Sequence, residues 1–148
     1  MISDSPEKTK VIGETYGRSC IAGKTIGLTG ELGAGKTQFV KGLAMGLGID
    51  ENEVVSPSFG LINEYEGDKK LYHVDLYRLE TGSDIETLGL TDYFQNDGIC
   101  IIEWADRLGN EIAFLDAIIE IEILPDNRRR FTFYENDIET PGLEARTL

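Results

Sequence analysis

The run Gly30-Glu31-Leu32-Gly33-Ala34-Gly35-Lys36-Thr37 satisfies GxxxxGK[ST], and it constrains this chain more than any other feature. Before it, Lys24-Thr25-Ile26-Gly27-Leu28-Thr29 is short, β-tolerant and closes on a glycine, as expected of a buried strand feeding a turn. After it, Phe39, Val40, Leu43, Ala44 and Leu47 fall at helical spacing, so a helix is expected from Lys36 to about Leu47, with Gly48 as its stop. Strand, glycine-rich turn and helix start in that order make an anion-binding nest: backbone N–H groups turn inward and the helix dipole faces the bound charge. Gly33 and Gly35 permit the backbone conformations and the close approach this needs. Lys36 would supply positive charge to the β- and γ-phosphates of a nucleotide, and the Thr37 hydroxyl is placed to ligate Mg²⁺.

Such a loop needs an acidic residue at the end of a neighbouring strand to hold the metal, usually through water. Two runs qualify: Leu71-Tyr72-His73-Val74-Asp75 and Gly98-Ile99-Cys100-Ile101-Ile102-Glu103 each carry apolar residues into a carboxylate. Composition does not divide the work between Asp75 and Glu103. By two-residue alternation His73 and Tyr77 share a strand face with Asp75, leaving Val74 and Leu76 on the other. His73 is expected to be structural.

Elsewhere Ser5-Pro6 reads as a helix cap and first turn leading into Thr9 to about Ser19. Phe59 to Tyr65 and Leu71 to Tyr77 read as a hairpin across the polar turn Glu66 to Lys70, and Ser83 could cap a short helix over Asp84 to Leu88. Ala117 to Leu124 and Arg130 to Tyr134 read as strands joined at Pro125-Asp126-Asn127. The expected architecture is an α/β sandwich with a sheet part parallel and part antiparallel, a single domain over residues 1–135 and a loose tail over 136–148.

The net charge of −13 repels nucleic acid and acidic membranes, so any RNA in this protein's pathway should be held by something else. Cys20 and Cys100 form no metal-ligand pattern, and with His73 the single histidine a zinc site is not expected. The first residues lack the basic-then-apolar order of a secretory signal and no apolar run is long enough to span a membrane, which leads one to expect a cytoplasmic protein. Asn-Lys-x-Asp, the guanine-reading segment of P-loop GTPases, does not occur, so ATP is the expected nucleotide.

Taken together, Glu31 to Thr37, Ser56-Pro57-Ser58-Phe59, His73-Val74-Asp75-Leu76-Tyr77-Arg78-Leu79 and Ile102-Glu103-Trp104 resemble the TsaE (YjeE) family, with order and spacing fitting from Thr9 to about Phe133. The resemblance implies a P-loop NTPase-like three-layer sandwich and a Mg²⁺-dependent ATPase supporting threonylcarbamoyl transfer to adenosine in tRNA. It implies TsaD and TsaB as partners, with tRNA met only through that assembly. Glu31, Leu32, Gly33, Ala34, Gly35, Lys36 and Thr37 would bind the nucleotide. Thr37 and Glu103 would hold Mg²⁺, and Asp75 and Trp104 would be needed for turnover. Ser56 to Phe59, with Ser58 among the nucleotide-binding residues, would form a switch-like loop, and Thr9 would lie close to the base. Ser58 stands where the family more often has threonine, and Gln38 replaces a frequent second threonine after the lysine.

Some readings stay open. Trp104 could be core packing alone. Arg128-Arg129-Arg130 reads as a solvated turn, unless one of the three reaches the nucleotide or a partner. With no obvious site for a trans-acting arginine and no glutamine placed to orient water, hydrolysis is expected to be slow until partners dock. The alternatives are a small-molecule kinase, which should add a basic lid, and a nucleotide-dependent interaction module without significant hydrolysis.

Overall fold

The computed structural model describes residues 1–31, 33–55, 62–76, 97–108, 115–136 and 143–146. The first helix, α1 (Pro6–Ser19), begins where the sequence marks it: Ser5 is extended, its hydroxyl accepts from the Lys8 amide at 3.1 Å, and Pro6 fills the first turn. The second, α2 (Lys36–Gly46), ends before Gly48, whose φ of 80° carries the chain out of the helix. A 3-10 turn over Glu51–Glu53 follows.

The strands are β1 (Ile2–Ser3), β2 (Thr25–Gly30), β3 (Ile62–Tyr65), β4 (Leu71–Asp75), β5 (Ile99–Glu103), β6 (Ala117–Ile123), β7 (Arg129–Asn136) and β8 (Leu143–Arg146). They form one sheet in the order β1-β7-β6-β2-β5-β4-β3, with β8 also paired to β7. Its centre is parallel (β6, β2, β5, β4) and its flanks are the two expected antiparallel hairpins, β3–β4 and β6–β7. The mixed sheet with helices is therefore as the sequence suggests. Two strands are not: Ile2–Ser3 pairs with Arg129–Arg130, and within the segment expected to be a loose tail Leu143–Arg146 pairs with Phe133–Asn136. The short helix expected over Asp84 to Leu88 lies outside the described residues.

Central position explains composition. All of β5 is buried, because it is covered on both faces, whereas β6 alternates buried and half-buried residues over most of its length. One face carries α1 and α2 on Ile26, Leu28, Ile101, Ile119, Phe131 and Phe133; the other carries a second cluster around Val74, Cys100, Ile102, Ala105 and Leu115. In the first core Tyr16 stacks on Phe133 at 5.4 Å and Phe39 on Phe131 at 5.8 Å, ring pairs worth about 0.5–1.5 kcal/mol each beyond their area.

The two helices lie backbone to backbone. A Cβ on Gly17 would stand 2.5 Å from the Leu43 carbonyl oxygen and one on Gly46 2.5 Å from that of Glu14, and Gly13 and Gly42 meet Phe39 and Lys10 in the same reciprocal way. This contact fixes how closely α2 packs on α1.

Candidate functional site

The loop leaving β2 is built by glycines in the left-handed region. Gly33 has φ 82° and Gly35 φ 106°, conformations that cost a side-chain-bearing residue about 1 kcal/mol or more. Gly35 is also the N-cap of α2, and it has no side chain to satisfy the first helical amides; nor does the first turn carry an acid. The contrast with α1, which has a serine cap and Glu7, is chemical: the amino end of α1 is closed by its own side chains, whereas that of α2 carries no side-chain cap and no acid in its first turn.

Lys36, the first residue of α2, is 6% exposed and folds back over the loop, where its ammonium donates to the carbonyls of Gly30 at 2.6 Å and Glu31 at 2.8 Å. Burial holds its pKa below the ordinary lysine value, opposed by the nearby charges of Glu103, Asp75, Asp106 and Glu31. Thr37 follows, half-buried, in the first turn.

Strand register brings the acids to this loop. Leu28 of β2 is level with Glu103, and Asp75 of β4 is level with the same Glu103, so both carboxylates sit at the strand ends beside the loop. Glu103 is 3% exposed and bonded through Oε2 to Nε2 of the fully buried His73, whose Nδ1 has no hydrogen-bond partner among the described residues. His73 is thus structural in a specific sense: it holds one of the two candidate metal acids. A hydroxyl and carboxylates are the hard oxygen donors that suit Mg²⁺, which keeps several waters and needs few protein ligands. Among the described residues no three His, Cys, Asp or Glu side chains gather into a metal cage.

Trp104 follows β5 in the left-handed region, with φ 60°, and its half-buried ring lies under the Lys36 ammonium. A non-glycine residue held there costs about 1–3 kcal/mol, and such strain gathers at functional positions. Thr9 is buried, bonded to the Ser3 hydroxyl at 2.8 Å, and lines a cavity of about 270 Å³ that also touches Gly33, Gly35, Gln38 and Arg129. Glu31 and Gly33 are exposed and Ala34 is buried; Leu32 and Ser58, with the rest of Ser56 to Phe59, lie outside the described residues. Sequence reading leaves one contributor undecided, Arg129, which reaches the loop across the sheet and bonds the carbonyls of Ala34 and Gly33. The arginine triplet signals a basic turn but not which of its members points inward.

A glycine loop closing a central parallel strand, an uncapped helix behind it and acids on the adjacent strand ends make this a P-loop NTPase fold. The family model for "Threonylcarbamoyl adenosine biosynthesis protein TsaE" matches residues 3–131, and the chain belongs to the TsaE family, which serves tRNA threonylcarbamoyladenosine biosynthesis. It is 40% identical to the Treponema pallidum tRNA threonylcarbamoyladenosine biosynthesis protein TsaE over 131 residues, covering 88% of this chain and 96% of that one. To the Bacillus subtilis protein of the same name it is 42% identical over 130 residues, covering 87% and 80%. The crystal structure of Bacillus subtilis YdiB superposes with a TM-score of 0.71 at 37% identity, covering 90% of this chain and 82% of that one.

Proposed function

We propose that this protein is a Mg²⁺-dependent ATPase that supports threonylcarbamoyl transfer to adenosine in tRNA by binding a TsaD–TsaB assembly in the cytoplasm. The observation that carries the reading is the uncapped amino end of α2, with Lys36 beside it and the register-matched pair Asp75 and Glu103 at the same end of the sheet. In this reading the amides of Gly33 to Thr37 take the phosphates, and the Lys36 ammonium exchanges its carbonyl partners for phosphate oxygens. Thr37 and Glu103 hold Mg²⁺, with His73 fixing the Glu103 carboxylate. Bound Mg²⁺ supplies charge neutralisation on the phosphates. Asp75 orients the attacking water, and Trp104 keeps the ammonium in line with the loop. Phosphoryl transfer is mainly a matter of positioning and charge, so a site without an arginine from a partner turns over slowly.

The acidic chain leaves RNA contact to its partners; ATP binding and hydrolysis reset the assembly, and the transfer chemistry lies there. The test is reconstitution: tRNA modification and ATP turnover measured with the TsaD–TsaB pair, with and without this chain and with Lys36→Ala. The reading expects modification to need the wild-type chain and turnover to rise when the pair is added. Equal turnover with and without the pair, or modification supported equally by Lys36→Ala, would count against it.

A further inference from the structure

The segment that follows β5 is a tight turn with two working faces. Residues 105–108 are in 3-10 conformation, and the Arg107 amide donates to the Trp104 carbonyl at 3.0 Å. With about three residues per turn, side chains three apart lie over one another. Ala105 and Leu108 make one such pair, and both are buried in the second core cluster, which ties the turn to the sheet. Trp104 and Arg107 make the other. The Arg107 guanidinium stands over the indole, 6.0 Å from its centre, and the Lys36 ammonium stands over the same ring at 4.0 Å.

Two cations thus share one indole, and their settings differ. Lys36 is buried in the phosphate loop, whereas Arg107 is exposed. The ring between them is half-buried: it packs on the second cluster along part of its surface, and over the rest solvent leaves it room to turn about its side-chain bonds. A guanidinium within about 6 Å of a ring centre is drawn to the negative π-face, which restricts that turning from the solvent side. The orientation matters to Lys36. Its ammonium bonds the carbonyls of Gly30 and Glu31, which belong to the loop itself, and the indole adds a contact from outside the loop.

We infer that Arg107 is a positioning residue for Lys36 that acts through Trp104: its guanidinium holds the indole so that a π-face meets the ammonium. What this does for turnover rests on the nucleotide-binding reading above; what it does to the ring does not. The 3-10 turn after β5 thereby gains a role, that of setting an aromatic shelf for a lysine on a separate helix.

Trp104 is the single tryptophan of the chain, so indole fluorescence of the full-length protein reads this ring alone. Arg107→Gln removes the charge from an exposed side chain and is expected to leave the melting temperature at the wild-type value. In nucleotide-free protein it is expected to shift the emission maximum and to raise acrylamide quenching about twofold. In steady state it is expected to lower kcat for ATP hydrolysis about two- to fivefold, with KM within about twofold of wild type. Arg107→Lys keeps a cation and should recover more than half of each change. In a Trp104→Ala background the glutamine substitution should cost nothing further, because the ring through which it acts is gone. Unchanged fluorescence in Arg107→Gln would overturn the inference, as would a loss confined to KM, a lysine variant no better than the glutamine one, or an undiminished effect in the Trp104→Ala background. Wild-type protein that neither binds nor hydrolyses ATP would remove the nucleotide reading, and the fluorescence comparison would still decide the link between Arg107 and the ring.

Discussion

The Lys36 ammonium lies 4.0 Å from the centre of the Trp104 ring, so the first residue of α2 and the residue that follows β5 meet beside the phosphate loop. A cation on an indole face is worth about 0.5–2 kcal/mol depending on desolvation, enough to bias where a lysine points without fixing it there. The ring also packs on the second core cluster, and the Trp104 carbonyl accepts the Arg107 amide at 3.0 Å. The direction of Lys36 is therefore biased by the residue that follows a separate strand.

If that geometry matters to turnover, Trp104→Ala should lower the ATP hydrolysis rate by about tenfold or more while nucleotide affinity changes by only a few fold. Trp104→Phe, which keeps a weaker π-face, should fall between the two. Steady-state turnover alongside equilibrium binding checks it, and a variant that hydrolyses ATP at the wild-type rate would reduce Trp104 to packing.

The contact between α1 and α2 makes a prediction about stability. A Cβ at Gly42 would run into the Lys10 carbonyl, which is helix backbone and cannot step aside as a side chain would. Gly42→Ala is therefore expected to cost about 1–3 kcal/mol or more, even though alanine is the better helix former. Urea unfolding measures it; a midpoint equal to wild type would mean that the helices separate without penalty.

Alkaline pH should destabilise the fold in a definite window. Burial pushes the Cys20 thiol up to about 11, against the partial opposition of Lys24, and Cys100 up to about 12; burial and then the Glu135 charge also raise Tyr16. These groups stay protonated in the folded chain while the unfolded chain begins to release its thiol protons near pH 9. The folded state then binds more protons, and stability falls as pH rises, by up to about 1.4 kcal/mol per pH unit for each fully linked group. Unfolding midpoints should be level below about pH 8.5 and decline from about 9 to 12, with a shallower decline in Cys100→Ala. A level midpoint across that range would contradict the burial of both thiols.

What the sequence determined by itself is what short-range chemistry can encode. Ser5-Pro6 starts a helix because cap and φ preference act within one turn, and the glycine loop declares an anion nest because its conformation and its amides are properties of consecutive residues. The apolar runs into Asp75 and Glu103 likewise announce strands that end in acids. What only the tertiary structure decided is which of these distant pieces meet. Nothing local says that β5 lies between β2 and β4 and so sets Glu103 level with both Leu28 and Asp75, or that the buried His73 holds Glu103. The same is true of Gly42 against Lys10 and of Arg129 against the loop, some 95 residues away along the chain. Periodicity reports which face of an element is buried, but a partner's identity comes from sheet order and register, which are settled by packing over the whole core.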